Sequence, residues 1–296
     1  MKKFIKKTIL FVLLPIVCYI SGFEFLKIKL ENNIFKSDAI ILGDSHTQPL
    51  NIPNFYNYSF NGSPYIIHYN FLQSIKDKIK GKMVLIAFGH HNISPLYENR
   101  FNQNVVRTSW IAMVNQHLNS VSFLPKFYNY SWQNNVEESI FSKSKLTSLY
   151  HLSYKKPTVN TNKVSTDTIS FEHTLETHYN NPNYITADII QEKYLSLIIE
   201  LLREQDCQII LLNTPVTEYY FDNIPAYIKK KHSYLINSFK TAQYLDLNKL
   251  LEDNIDFTIF KDADHVNQKG DSLIIRYITK NVVKTNARTH NNVYTR

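Results

Sequence analysis

Glycine is scarce in this chain, with six in 296 residues. A residue used so sparingly is informative where it occurs, because glycine lets backbone turn sharply or approach a ligand closely. Four of the six (Gly43, Gly62, Gly89 and Gly270) fall at turns that the pattern below assigns to one site. Cysteine is scarcer still: Cys18 and Cys207 are the whole complement. Neither has metal-ligand spacing, and a disulfide between them is disfavoured if Cys18 lies in a membrane. Cys18 follows Pro15-Ile16-Val17 instead of the small residues that precede a lipidated cysteine. The net charge is +8, but Lys2, Lys3, Lys6 and Lys7 supply half of it. No basic stripe interleaves with aromatics, so nucleic acid is not an expected partner. What is abundant is apolar material, at 44% hydrophobic and 14% aromatic, which excludes a disordered polypeptide. The length suits one large domain or two small ones.

The four lysines precede an apolar run over 8–23, broken only by Pro15, Ser21 and Gly22. That is the order of an export signal. No good small-x-small cleavage site follows, since Ile20-Ser21-Gly22 is a poor match. The run is slightly shorter than the roughly 20 residues that span a bilayer, and Phe25 and Leu26 extend it. The reading is an uncleaved signal anchor over 1–27, with the N-terminus in the cytoplasm and the rest exported, so that the protein sits in the cell membrane as a single-pass chain. The alternatives are a cleaved signal peptide and a buried helix of a soluble domain.

After a polar stalk over 28–37, apolar runs alternate with segments of helical period. Strands are expected at 38–42, 55–60, 83–88, 207–212 and 244–247, and helices at 64–80, 187–203, 224–240 and 268–283. Alternation of this kind predicts an α/β fold, a three-layer α/β/α sandwich around a mostly parallel, flavodoxin-like sheet over 38–285. Between 93 and 185 the periodicity fails, which reads as an irregular insertion that forms either a lid or substrate wall or a plain surface segment. Trp110, Trp132 and the tyrosines there stack on sugar rings or simply pack. A polar tail occupies 286–296.

Ligands of parallel α/β sheets bind beyond the carboxyl ends of the strands. Three polar clusters fall there. Gly43-Asp44-Ser45-His46 ends the first strand, and the segment after it is helix-compatible, which puts the Ser45 hydroxyl on a sharp turn beside backbone N–H groups. Gly89-His90-His91-Asn92 ends the third. Asp262-Ala263-Asp264-His265 precedes the last helix. A serine needs a base to become a nucleophile, and His265 is the convincing one. Asp262, three residues earlier, is placed to orient it, with Asp264 as the alternative carboxylate; a helix cap ahead of Gln268 is the reading without chemistry. His46 is too close in sequence to reach Oγ as the base. Asp44, His46 and His91 are candidate pocket residues, with His46 either lining the pocket or supporting the residues that do. Adjacent His90 and His91 diverge on either a strand or a helix, and no carboxylate cluster accompanies them in sequence, so no metal and no cofactor is expected.

These blocks resemble the SGNH or GDSL hydrolase superfamily over about 38–92 and 186–285. Gly43-Asp44-Ser45 matches its first block, with His46 where the motif has leucine. Gly62 stands for the second, Gly89-His90-His91-Asn92 partly for the third, and Asp262-Ala263-Asp264-His265 for the last. The resemblance implies a Ser45, His265, Asp262 triad and an oxyanion hole made by the Ser45 N–H, the Gly62 N–H and a side-chain amide. The family's asparagine falls at His91 here and Asn92 is one position late, so either side chain is the third donor. The implied activity is an esterase or O-acyltransferase acting on acyl esters, acetyl among them, of a cell-envelope glycan. The competing expectation is a non-catalytic envelope protein that uses the fold for glycan binding or assembly.

Overall fold

A computed structural model describes residues 11, 32–99, 168–180, 190–252 and 256–283. Five strands form one sheet: β1 (Ala39–Gly43), β2 (Phe55–Ser59), β3 (Met83–Ala87), β4 (Gln208–Asn213) and β5 (Gln243–Asp246). All four pairings are parallel, in the order β2-β1-β3-β4-β5. The chain leaves β1 to build β2 on one side, then crosses to build β3 on the other. The switch point between β1 and β3 opens the crevice in which doubly wound sheets hold ligands.

The helices are α1 (Tyr65–Ser74), α2 (Pro95–Asn99), α3 (Thr168–Leu175), α4 (Ile190–Glu204), α5 (Glu218–Asp222), α6 (Ala226–Ser238), α7 (Leu247–Leu250) and α8 (Gln268–Tyr277). Strand side chains alternate between faces, so each apolar run feeds two cores. Ile40, Leu42, Val84, Ile86 and Leu211 pack under α1, α4 and α6, together with Phe71, Leu195, Ile198 and Leu235. Ile41, Leu85, Ile210 and Leu212 pack under Leu247 and the α8 residue Ile274 on the other face. Burying each such side chain contributes about 1.5–3 kcal/mol. The result is the expected α/β fold, a five-stranded parallel sheet with helices packed against it.

The expected strands and long helices form, with ends displaced by a few residues. The helix at 64–80 ends at Ser74 and continues as a 3-10 turn, Lys76–Lys78. The last helix relaxes into a π-helical turn, Ile278–Val283. Residues 32–36, read as stalk, form a helical turn, and Ile34 is fully buried in the core. Within the expected insertion, 93–99 and 168–180 are ordered against the domain; Trp110, Trp132 and the tail lie outside the described residues. Among the described residues no helix is long and apolar enough to cross a membrane, and the expected anchor lies outside them apart from Phe11.

Candidate active site

Ser45 does not open a helix. Residues 45–49 are a turn closed by the Asp44 carbonyl, which accepts from the Gln48 N–H at 2.9 Å. Pro49 explains the difference, since it lacks an N–H and disfavours helical backbone at Gln48. Side chains from β2 lock the turn: Asn57 Nδ2 donates to the carbonyls of Thr47 and Leu50, each at 2.8 Å, and Thr47 Oγ1 donates to Ser59 Oγ at 2.9 Å. Gly43 is required where the turn begins, because a Cβ there would meet Thr47 Oγ1 at 2.0 Å. Gly62, with φ 70, follows β2 and precedes Ser63, whose Oγ donates to the Gly43 carbonyl at 2.7 Å.

The segment carrying His265 is a tight loop. Lys261 N–H donates to the His265 carbonyl at 3.0 Å, and Phe260 bridges Val266. Thr217 pins the loop from the end of β4, its N–H and hydroxyl both donating to the Ala263 carbonyl. Asn267, and neither acid, caps α8 by accepting from the Lys269 and Gly270 N–H groups. The expected helix cap ahead of Gln268 is thus present, made by Asn267 without Asp262 or His265.

His265 Nε2 lies 2.8 Å from Ser45 Oγ, across 220 residues of sequence. Asp262 Oδ1 lies 2.9 Å from His265 Nδ1 and also accepts the backbone N–H groups of Asp264 and His265. An Nδ1–H donated to a carboxylate leaves the Nε2 lone pair facing the serine. Asp264 does not point away from its neighbour: its Oδ1 is 3.1 Å from the same Nδ1. Burial pushes the His265 imidazole down, but Asp264 and Asp262 outweigh it and push it up to about 10.

Behind the serine lies a column of three imidazoles. His46 stacks on His91 at 3.8 Å and on His265 at 4.2 Å, within 18° and 17° of parallel. Gly89 makes room for the column, since a Cβ there would meet His91 Cε1 at 2.8 Å. Asp44 is fully buried beneath it and accepts five donors: the His46 N–H, His46 Nδ1, His91 Nε2, Asn92 Nδ2 and the Tyr97 hydroxyl. Burial works to raise the Asp44 carboxyl, yet the His91 and His46 rings hold it well below the usual range. Burial, with His46 alongside, pushes His91 down. Asp44, His46 and His91 are thus buried beneath the serine.

Both side chains offered as third oxyanion donor reach Asp44. His91 lies 2.8 Å from its Oδ2 and Asn92 Nδ2 2.7 Å from the same atom, while Asn92 Oδ1 accepts the Gly89 N–H. One hydrogen of the Asn92 amide is left for another acceptor. His90 diverges from His91, as expected of adjacent residues, and stacks on His232 at 4.1 Å.

Carboxylates do accompany His91, brought from elsewhere in the chain. Asp44, His46 and His91 form one trio with ligand-type atoms within 4.8 Å, and His46, Asp264 and His265 another. Neither suits a metal. In each trio the two rings are stacked nearly parallel, so their in-plane lone pairs do not converge on one point. Asp44 also has both oxygens saturated by donors.

Three residues at the site were not singled out by the sequence. Tyr97 comes from α2, whose start is marked by Ser94-Pro95. His178 and Tyr179 come from a π-helical turn, Glu176–Asn180, that extends α3. His178 Nδ1 lies 2.6 Å from the Tyr220 hydroxyl and 3.9 Å from Asp264 Oδ2. Burial pushes His178 down to about 3. No family model and no curated protein matches the chain.

Proposed function

We propose that the protein is a serine esterase or O-acyltransferase of the SGNH type. Its substrate is an acyl ester of a cell-envelope glycan, and the anchor over 1–27 holds the catalytic domain on the exported side of the cell membrane. The observation that carries the chemistry is the 2.8 Å contact between Ser45 Oγ and His265 Nε2. The glycan and the exported location rest on the lysine-led apolar leader and on the family resemblance.

In this reading Ser45 Oγ attacks the ester carbonyl carbon as His265 Nε2 takes its proton. The carbonyl π bond opens to a tetrahedral oxyanion, held by the Ser45 N–H, the Gly62 N–H and the remaining Asn92 amide hydrogen. Each such donor is worth about 3 kcal/mol of transition-state stabilisation. The bond to the leaving alcohol then breaks, and His265 returns the proton to that oxygen. Water or a sugar hydroxyl resolves the acyl-enzyme, giving hydrolysis or transfer. Asp262 and Asp264 stabilise the imidazolium through the cycle. A base pushed up to about 10 is mostly protonated at neutral pH. The reactive form is then the minor one, and the rate rises toward alkaline pH.

The second reading is a non-catalytic envelope protein that binds or assembles glycan. The protonated resting state of His265 and the Asn92 amide turned to Asp44 favour it. A fluorophosphonate probe separates the two. Labelling of the full-length protein, lost in Ser45→Ala and His265→Ala, supports the enzyme; folded protein that stays unlabelled at pH 9 overturns it. A reporter fused after residue 30 that is active in the cytoplasm would contradict export.

A further inference from the structure

Two buried polar atoms face each other here without a hydrogen bond. His46 Nε2 and Asp264 Oδ2 have no partner of proper geometry, yet they lie 3.3 Å apart. The rest of each side chain is held elsewhere: His46 Nδ1 is 3.1 Å from Asp44 Oδ1, and Asp264 Oδ1 is 3.1 Å from His265 Nδ1. Asp44, His46, Asp264 and His265 therefore form a line that ends on Ser45. The two acids at His265 Nδ1 are not equivalent, since the Asp262 side chain is 32% exposed and that of Asp264 2%. An exposed carboxylate is screened by solvent, whereas a buried one acts at nearly full strength.

We propose that His46 and Asp264 are positioning residues, a buried imidazole–carboxylate arm that holds His265 from behind and governs its readiness to take the Ser45 proton. The assignment rests on the reading of His265 as the base. Asp264 supplies negative charge at Nδ1 where solvent screens least. A proton on His46 offsets part of that charge and, through the face-to-face contact of the rings, opposes a second proton on His265. The two residues thus pull His265 in opposite directions. The other titratable groups facing these rings are Asp44, His91, Asp262, Asp271 and His178. Burial and the charge of His265 work against a proton on His46, but Asp44 and Asp264 outweigh them and raise it.

The test is the rate of fluorophosphonate labelling at Ser45 as a function of pH, on full-length protein checked for folding by circular dichroism. Asp264→Asn keeps the shape and removes the charge; the alkaline rise of the rate should move down by about 1–3 pH units. His46→Gln keeps an amide toward the carboxylates and removes the site that can carry a proton against His265; the rise should move to higher pH. Asp262→Asn should move it down by less than Asp264→Asn. If one variant unfolds, the direction of the other decides. Variants that label more slowly at every pH while the rise stays in place would overturn the arm and leave the Ser45–His265 pair standing. A wild-type protein that labels at no pH would overturn both.

Discussion

The two layers packed on the sheet and the polar cluster at its carboxyl edge are built by opposite rules. In the layers, each side chain has many interchangeable neighbours: Phe71 stacks on Tyr58 at 3.7 Å and also lies within a large aliphatic core. At the edge, polar atoms answer to particular partners, as Asp44 Oδ2 does to His91, Asn92 and Tyr97, and charge must balance where solvent is excluded. The frame can lose a group and lose only stability. On the proposed function, the cluster can lose a proton or a charge and lose activity while the fold persists.

The largest expected effect tests the cluster alone. Ser45→Ala and His265→Ala should each lower ester turnover by about 10⁴-fold or more with little change in melting temperature. A comparable drop in melting temperature would mean that the two residues belong to the frame. The converse test is Phe71→Ala, expected to cost about 3–5 kcal/mol in urea unfolding, with the folded fraction still labelling at Ser45. If that variant stays as stable as wild type, Phe71 is not the core anchor its burial indicates.

Histidines couple the two regions through pH. Burial pushes His178 and His90 down to about 3 and His68 and His232 to about 4, so all four are neutral in the folded protein at pH 5. Their unfolded values lie near 6.5. A group depressed on folding binds its proton more readily when unfolded, so stability should fall as pH drops below about 6.5. His265 has the opposite sign: its contribution is full below 6.5 and disappears as pH rises through about 10. Urea midpoints across pH 4–10 should therefore trace a dome. A midpoint unchanged between pH 7 and 4.5 would show that the four rings are not buried neutral.

The smallest effect sharpens the boundary between the two regions. Tyr97→Phe removes one of five donors to Asp44 and should cost about 1.5–3 kcal/mol, the range for hydrogen bonds to a charged group. It should slow labelling only modestly. A large slowing at unchanged stability would place Tyr97 in the chemistry itself.

Much of the frame was legible because it leaves local patterns. Met83 to Ala87 is an unbroken apolar run, the mark of a strand covered on both faces. Ile190 to Glu204 carries apolar residues at helical spacing. Ser45, His265 and Asp262 were legible because strand-end placement limits where they can meet. The helix after Ser45 was misread, since one proline outweighed the surrounding pattern. Asp264 was underweighted because neighbouring side chains diverge in helices and strands, whereas Asp262 to His265 is a tight loop. Tyr97 and His178 act across long stretches of chain through single polar contacts, which impose no period on the sequence around them.

The most direct test of the central claim is the mass of the peptide that carries Ser45, taken after rapid acid quench of the full-length protein with p-nitrophenyl acetate at pH 9. The account predicts one added acetyl group on Ser45, absent from Ser45→Ala and greatly reduced in His265→Ala. An unmodified Ser45 peptide from folded protein, or acetyl found only on lysines, would contradict it.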